Sequence, residues 1–133
     1  MMRLNKRQKF RPSSEAKAFL QYLKERAVFG RQIDAYAFAA AYAMKNNLGI
    51  SDAALKGRSD MEEVGTLDDE VCLALEASIH ALYKRSSQPE PENSQALMDA
   101  VTRYSEVGLM ALKEEWSGKT AIQIQDSIRK LLG

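Results

Sequence analysis

Apolar residues in this chain recur at helical spacing, and the clearest run is Ile33–Met44, in which eleven of twelve residues are apolar and only Asp34 is polar. A helix that is apolar on all sides must be surrounded by other protein or by lipid. Crossing a membrane takes about 20 residues, so this segment is too short to do so. The pattern therefore predicts the buried central helix of a small soluble domain, and its six alanines would let neighbouring helices approach closely.

The same spacing, with start and stop residues at the ends, predicts further helices on both sides of the central one. Gly30 is the expected stop of the first helix, and Thr66 is the expected N-cap of the third long helix. The predicted segments are Ser14 to about Val28, Gln32 to Asn46, a short piece from Asp52 to Lys56, Thr66 to Arg85, Ser94 to Trp116, and Ala121 to Leu132.

Gly108 falls on the apolar stripe of the fourth long helix, at a cost of about 1 kcal/mol relative to alanine. We therefore expect a close helix crossing at Gly108. No segment alternates apolar and polar residues over the length of a strand. The sequence predicts an all-α fold: a compact bundle of about five helices around the alanine-rich helix, with no sheet.

With 133 residues, 45% hydrophobic and 28% charged, the chain is expected to form one globular domain. We expect this domain at residues 13–133, with a proline-containing linker at 86–93, preceded by a flexible basic arm at 1–12. A single cysteine, Cys72, excludes an internal disulfide and fits a reducing compartment. No secretory signal or membrane-spanning run is visible, so we expect a bacterial cytoplasmic protein.

Charge is distributed unevenly along the chain. The N-terminal eleven residues carry five basic side chains and no acid, while residues 60–76 carry seven acids and no base. A basic arm on an acidic body could contact nucleic acid, an acidic partner or its own acidic segment. The candidate partner or nucleic-acid contacts are Arg3, Lys6, Arg7, Lys9 and Arg11. The candidate acidic interaction surface is Asp60, Glu62, Glu63, Asp68, Asp69 and Glu70.

No group of residues has the spacing of an active site. Ser117–Thr120 ends like a phosphate-binding loop, but Lys113 stands where the first glycine is needed and no strand precedes it. His80 lacks further metal ligands at suitable spacing, and Cys72 lies between apolar neighbours, as a buried inert thiol would. The acidic run lacks the order of a calcium loop. We predict no catalytic residue, metal or cofactor.

Two segments, Phe29–Ala41 and Tyr104–Trp116, resemble a small bacterial family known as DNA phosphorothioation-associated protein 4. In the first, a phenylalanine precedes a polar turn and an aspartate, Asp34, opens the alanine-rich helix. In the second, an aromatic residue precedes Gly108-Leu109 and, further on, Leu112-Lys113. The resemblance implies an accessory protein encoded beside systems that modify DNA and restrict phage. It carries no catalytic residues.

The leading hypothesis is a non-catalytic accessory or adaptor protein in a bacterial DNA-modification or phage-defence assembly, acting through protein–protein contacts. The alternative is a small DNA-binding module in which the basic arm lies on phosphates, although the negative body opposes it. An enzyme would require a deep pocket lined by polar side chains. Helical chains of this size often leave an apolar face for another copy, so a homodimer is one expected assembly.

Overall fold

A computed structural model describes residues 1–51, 53 and 55–132, and within them it is all-helical, as predicted. One short 3₁₀ turn, Val64–Thr66, precedes the third helix. The five helices are α1 (Ser14–Glu25), α2 (Gln32–Lys45), α3 (Asp69–Arg85), α4 (Ser94–Glu115) and α5 (Ala121–Leu132). The predicted short helix from Asp52 to Lys56 includes residues 52 and 54, which lie outside the described residues.

The alanine-rich helix α2 is the centre of the bundle, and its closest partner is α4. The two backbones meet at Gly108, where an added Cβ atom would overlap the Ala39 carbonyl group and lie 2.7 Å from its carbon. Nearby, the Ser105 hydroxyl donates to the Tyr36 carbonyl oxygen at 2.8 Å. The close crossing predicted at Gly108 is therefore confirmed.

Helix α1 ends at Glu25, earlier than predicted, and Gly30 is not its stop. Ala27 adopts the left-handed conformation at φ 55°, and the Val28 N–H donates back to the Leu23 carbonyl at 3.0 Å. This is the hydrogen-bond pattern with which many helices end, formed here by an alanine in place of the usual glycine. The predicted N-cap of α3 is also wrong. Asp68 is the cap residue, and Thr66 closes the 3₁₀ turn before it.

The N-terminal residues pack into the domain, so the predicted boundary at residue 12, with a separate arm before it, is corrected. Phe10 is fully buried and Leu4 nearly so. The backbone of residues 6–14 runs antiparallel to that of residues 56–65, as shown by the Met61 N–H bond to the Phe10 carbonyl at 2.8 Å and the Gly65 N–H bond to the Lys6 carbonyl at 2.8 Å. The pairing is too irregular to form a sheet: Lys9 and Glu63 form one isolated bridge.

Helices α2 and α3 run roughly parallel. At their N-terminal ends the Arg31 guanidinium donates to the Thr66 carbonyl at 2.9 Å, and at their C-terminal ends Asn47 and Tyr83 line one surface depression. Residues 86–93 connect α3 to α4 without helical structure, and they bring Glu90 against His80. Among the described helices, none is both long and apolar enough to cross a membrane.

Candidate interaction surfaces

The predicted basic and acidic sites lie beside each other and neutralise each other in part. Three of the five basic side chains form ion pairs: Arg3 with Glu76 at 2.7 Å, Lys6 with Asp69, and Arg11 with Asp60 at 3.2 Å. The Lys6 pair raises the pKa of Lys6 and lowers that of Asp69. The sequence predicts that the basic residues contact nucleic acid, an acidic partner or the chain's own acidic segment. Arg3, Lys6 and Arg11 contact the chain's own acidic segment.

The other predicted contact residues remain at the surface. Arg7 and Lys9 are exposed and form no ion pair among the described residues, and the same holds for Glu62, Glu63, Asp68 and Glu70. Arg7 and Lys9 alone make only a small positive patch. Phosphate binding depends on many cations acting together. The structure thus leaves little free positive charge for a DNA contact by this segment.

Two buried carboxylates, missed by the sequence analysis, hold the N-terminal segment in place. Glu76 on α3 is 2% exposed, and it accepts the Arg3 Nε–H and the Leu4 N–H, both at 2.7 Å. Because Arg3 itself is mostly exposed, the pair joins a surface cation to an interior anion. A buried carboxylate is costly unless such donors satisfy it.

Glu106 on α4 is the second buried carboxylate, 4% exposed, and three donors satisfy it. The Ser13 hydroxyl donates to Oε1 at 2.6 Å, while the Ser13 N–H at 3.1 Å and the Tyr36 hydroxyl at 2.7 Å donate to Oε2. The Ser13 oxygen also accepts the Ala16 N–H and so caps α1. One carboxylate therefore joins the start of α1, the middle of α2 and α4.

The sequence contained a signal for both carboxylates. Glu76 lies four residues after Cys72 and three before Ile79, and Glu106 lies four after Thr102 and three before Leu109. These spacings place each glutamate on the inward face of its helix. An acid at such a position predicts a buried, hydrogen-bonded carboxylate.

In the described part of the chain, Cys72 and His80 make no hydrogen bond with each other. Cys72 is buried, and burial raises the pKa of its thiol, which disfavours the reactive thiolate. His80 lies at the surface against Glu90. The described residues contain no group of three or more acids, histidines or cysteines placed to hold a metal ion.

The most distinctive surface feature is an open apolar groove between α2 and α3, with a volume of about 420 Å³. On α2 it follows residues 34, 37, 38 and 41, and on α3 it follows residues 70, 71, 74, 75 and 78, about two turns of each helix. Its walls are mainly aromatic and aliphatic, and Asp34 and Glu70 lie at the end formed by the helix N-termini. The apolar walls are Phe29, Ala37, Phe38, Ala41, Val71, Ala74 and Leu75.

A second depression lies beside Trp116, where α1 meets the end of α4. It has a volume of about 290 Å³ and is lined by Phe19, Tyr22, Lys113 and Trp116, among others. The Trp116 indole N–H is buried without a hydrogen-bond partner among the described residues. The aromatic rings pack mainly on each other, with Trp116 near Phe19 and Phe38. These rings are therefore part of the hydrophobic core.

Comparison with protein-family models, with curated proteins and with solved structures finds no match for this chain.

Proposed function

We propose that this chain is a non-catalytic accessory or adaptor protein of a bacterial DNA-modification or phage-defence assembly, and that it acts through contacts with other proteins. The setting rests on the resemblance of Phe29–Ala41 and Tyr104–Trp116 to the phosphorothioation-associated family. The mode of action rests on one observation, the open apolar groove between α2 and α3.

An apolar groove between two helices can receive the apolar side chains of a partner helix. The groove has few polar groups with which to orient a small polar substrate. Its walls are about two turns long on each side, a length over which an amphipathic helix can be laid between α2 and α3. An apolar partner helix therefore fits the groove better than a substrate does.

The proposal is tested by affinity capture of the full chain from its source organism, with the tag on the C-terminus because the N-terminal residues are packed. Ala41→Glu puts a charge at the exposed mouth of the groove, and Met110→Glu adds the same charge at an exposed position on α4, away from the groove, as a control. We expect a component of a DNA-modification or phage-restriction system to be captured by the wild type and by Met110→Glu, and to be lost from Ala41→Glu.

Capture of no such component by the wild type would overturn the proposed setting. Equal capture by Ala41→Glu and the wild type would overturn the role of the groove. Both variants are compared with the wild type by circular dichroism, so that a loss of capture is attributed to the surface and not to unfolding.

A further inference from the structure

The outward face of α3 is an unpartnered apolar surface next to the groove. Leu73 is 48% exposed, one of the few large apolar side chains left so open. Ala74, Ala77 and Ala81 are also exposed on this helix. On a helical wheel these residues lie within one face, because Leu73, Ala74 and Ala81 are each three or four residues from Ala77.

Opposite charges lie at the two ends of this face. Glu70 is exposed in the first turn of α3, and Lys84 and Arg85 are exposed in its last turn. None of the three forms an ion pair within the described part of the chain. The face is therefore acidic at one end, apolar in the middle and basic at the other end.

We propose that this face binds the same face of a second copy of the chain, with the two α3 helices antiparallel about a two-fold axis at Ala77. Glu70 and Lys84 are each seven residues from Ala77, so an antiparallel pairing centred there places the Glu70 of each copy against Lys84 of the other. Leu73 and Ala81 are each four residues from Ala77, so each leucine lies over an alanine of the other copy. A face that complements itself in this way is what a two-fold interface requires.

The charges select this orientation over the parallel one. Parallel α3 helices would bring Glu70 against Glu70 and Lys84 against Lys84, and like charges across an interface disfavour that arrangement. The small side chains at the axis let the helix axes approach to about 8 Å, the close end of the usual range. The antiparallel pair thus gains two ion pairs and two leucine–alanine contacts.

The same axis determines where the two grooves lie. The two-fold axis that relates two antiparallel helices runs between them, perpendicular to both. A feature that lies to one side of α3 in one copy therefore lies on the same side of the helix pair in the other copy. The two α2–α3 grooves therefore open on one face of the dimer, on either side of the paired α3 helices. A partner that is itself two-fold symmetric would meet both grooves together.

The test is sedimentation equilibrium of the full chain over a range of concentrations, at low and at high salt. We expect the average mass to rise from 14.9 kDa towards twice that value, and the association to weaken with salt because the end pairs are exposed. Ala77→Arg places two like charges at the axis and is expected to weaken association at least about tenfold, or 1.4 kcal/mol. Met110→Glu, at an exposed apolar position on α4, is the matched control and leaves it unchanged.

A charge exchange tests the register. Glu70→Lys alone and Lys84→Glu alone each set like charges together and weaken association, whereas the double variant restores the opposite pairing and recovers it to within about threefold. A monomer at every concentration, or a dimer disrupted by Met110→Glu and not by Ala77→Arg, would overturn the proposal. A failed double-variant rescue would overturn the antiparallel register. None of these outcomes depends on the capture experiment, which tests the groove with other proteins.

Discussion

The Tyr36 hydroxyl donates a 2.7 Å hydrogen bond to the Glu106 carboxylate in the interior, where α2 meets α4. Tyr36 is itself fully buried, and its ring packs edge-on against Phe10 at 5.5 Å between centroids. The central helix, the N-terminal segment and α4 thus meet at one side chain. Its hydroxyl supplies a neutral donor to a carboxylate that is almost entirely buried.

Removing the Tyr36 hydroxyl should lower the free energy of unfolding more than removing a tyrosine hydroxyl that makes no hydrogen bond. Tyr36→Phe removes a donor from a buried carboxylate, and a hydrogen bond to a charged group contributes about 1.5–3 kcal/mol. We expect a loss of that order in the free energy of unfolding, measured by urea titration. Tyr42→Phe, at a half-buried tyrosine on the same helix, is the control and should change it by less than about 0.5 kcal/mol. Equal effects of the two variants would contradict the role given to Glu106.

Alkaline pH should weaken the fold through the same tyrosine. Burial first, and then the charge of Glu106, raises the pKa of Tyr36 far above its usual value. The folded state therefore keeps the proton that the unfolded chain releases above about pH 10. This contribution to stability is complete below that pH and declines above it, by up to about 1.4 kcal/mol per pH unit.

Unfolding free energies measured from pH 9 to 11 should fall less steeply for Tyr36→Phe than for the wild type. Burial also raises the pKa of Tyr104 and of Cys72, but both groups are present in both proteins and their contributions cancel in the comparison. Identical slopes would show that Tyr36 ionises in the folded state.

The helix crossing at Gly108 should tolerate no larger residue. Gly108→Ala improves helix propensity by about 1 kcal/mol, but the new Cβ atom would meet the Ala39 backbone, which cannot move aside without separating the helices. Overpacking of this kind usually costs about 1–3 kcal/mol. After the gain in helix propensity is subtracted, we expect a net destabilisation of up to about 2 kcal/mol. Gly30→Ala, where an added Cβ meets nothing within 4 Å, serves as the control in thermal unfolding.

The N-terminal segment should behave as core at Phe10 and as surface at its unpaired cations. Phe10→Ala empties a fully buried site and should cost about 3–5 kcal/mol. Arg7→Ala and Lys9→Ala should each change stability by less than about 0.5 kcal/mol. A small effect of Phe10→Ala in urea titration would show that the segment is dispensable.

Because Phe10 is buried, the DNA-binding alternative must be tested by substitution of surface residues and not by deletion of the segment. Deleting residues 1–11 would remove Phe10 from the core, so a lost signal would report unfolding. The combined variant Arg7→Glu and Lys9→Glu changes the free cations alone. We expect the wild type to bind duplex DNA only weakly at low salt and not at about 150 mM salt. Binding that survives at that salt in the wild type and is lost in the variant would favour the DNA-binding alternative.

Sequence pattern predicted the helices well because the flanking helices bury one face, which is visible as a period of 3.6 residues, and because α2 is an almost continuous apolar run. The Gly108 crossing was predicted for a similar reason: a glycine within an apolar stripe is costly unless a neighbour needs the space. The stop at Ala27 was missed because its left-handed conformation is unusual for alanine, and the glycine three residues later was the stronger signal.

The contacts of the N-terminal segment could not be predicted to the same degree. Arg3 and Glu76 are 73 residues apart, and Ser13 and Glu106 are 93 apart, so only the folded chain shows that they meet. A run of basic residues at a terminus is typical of a solvated tail, and the single phenylalanine within it was a weak indication of burial. The proposed surfaces on α3 were likewise invisible until the burial of each helix face was known.

The two buried carboxylates have a consequence for the order in which the fold can form. Residues 1–13 are synthesised before Glu76 and Glu106, and the Ser13 hydroxyl cannot donate to Glu106 until that part of α4 has been made. The backbone bonds of this segment to residues 56–65 require only the first half of the chain, whereas its bonds to the two carboxylates require α3 and α4. Arg3 and Lys6 likewise reach their partners only when α3 has been made, so the segment takes its final place late in synthesis.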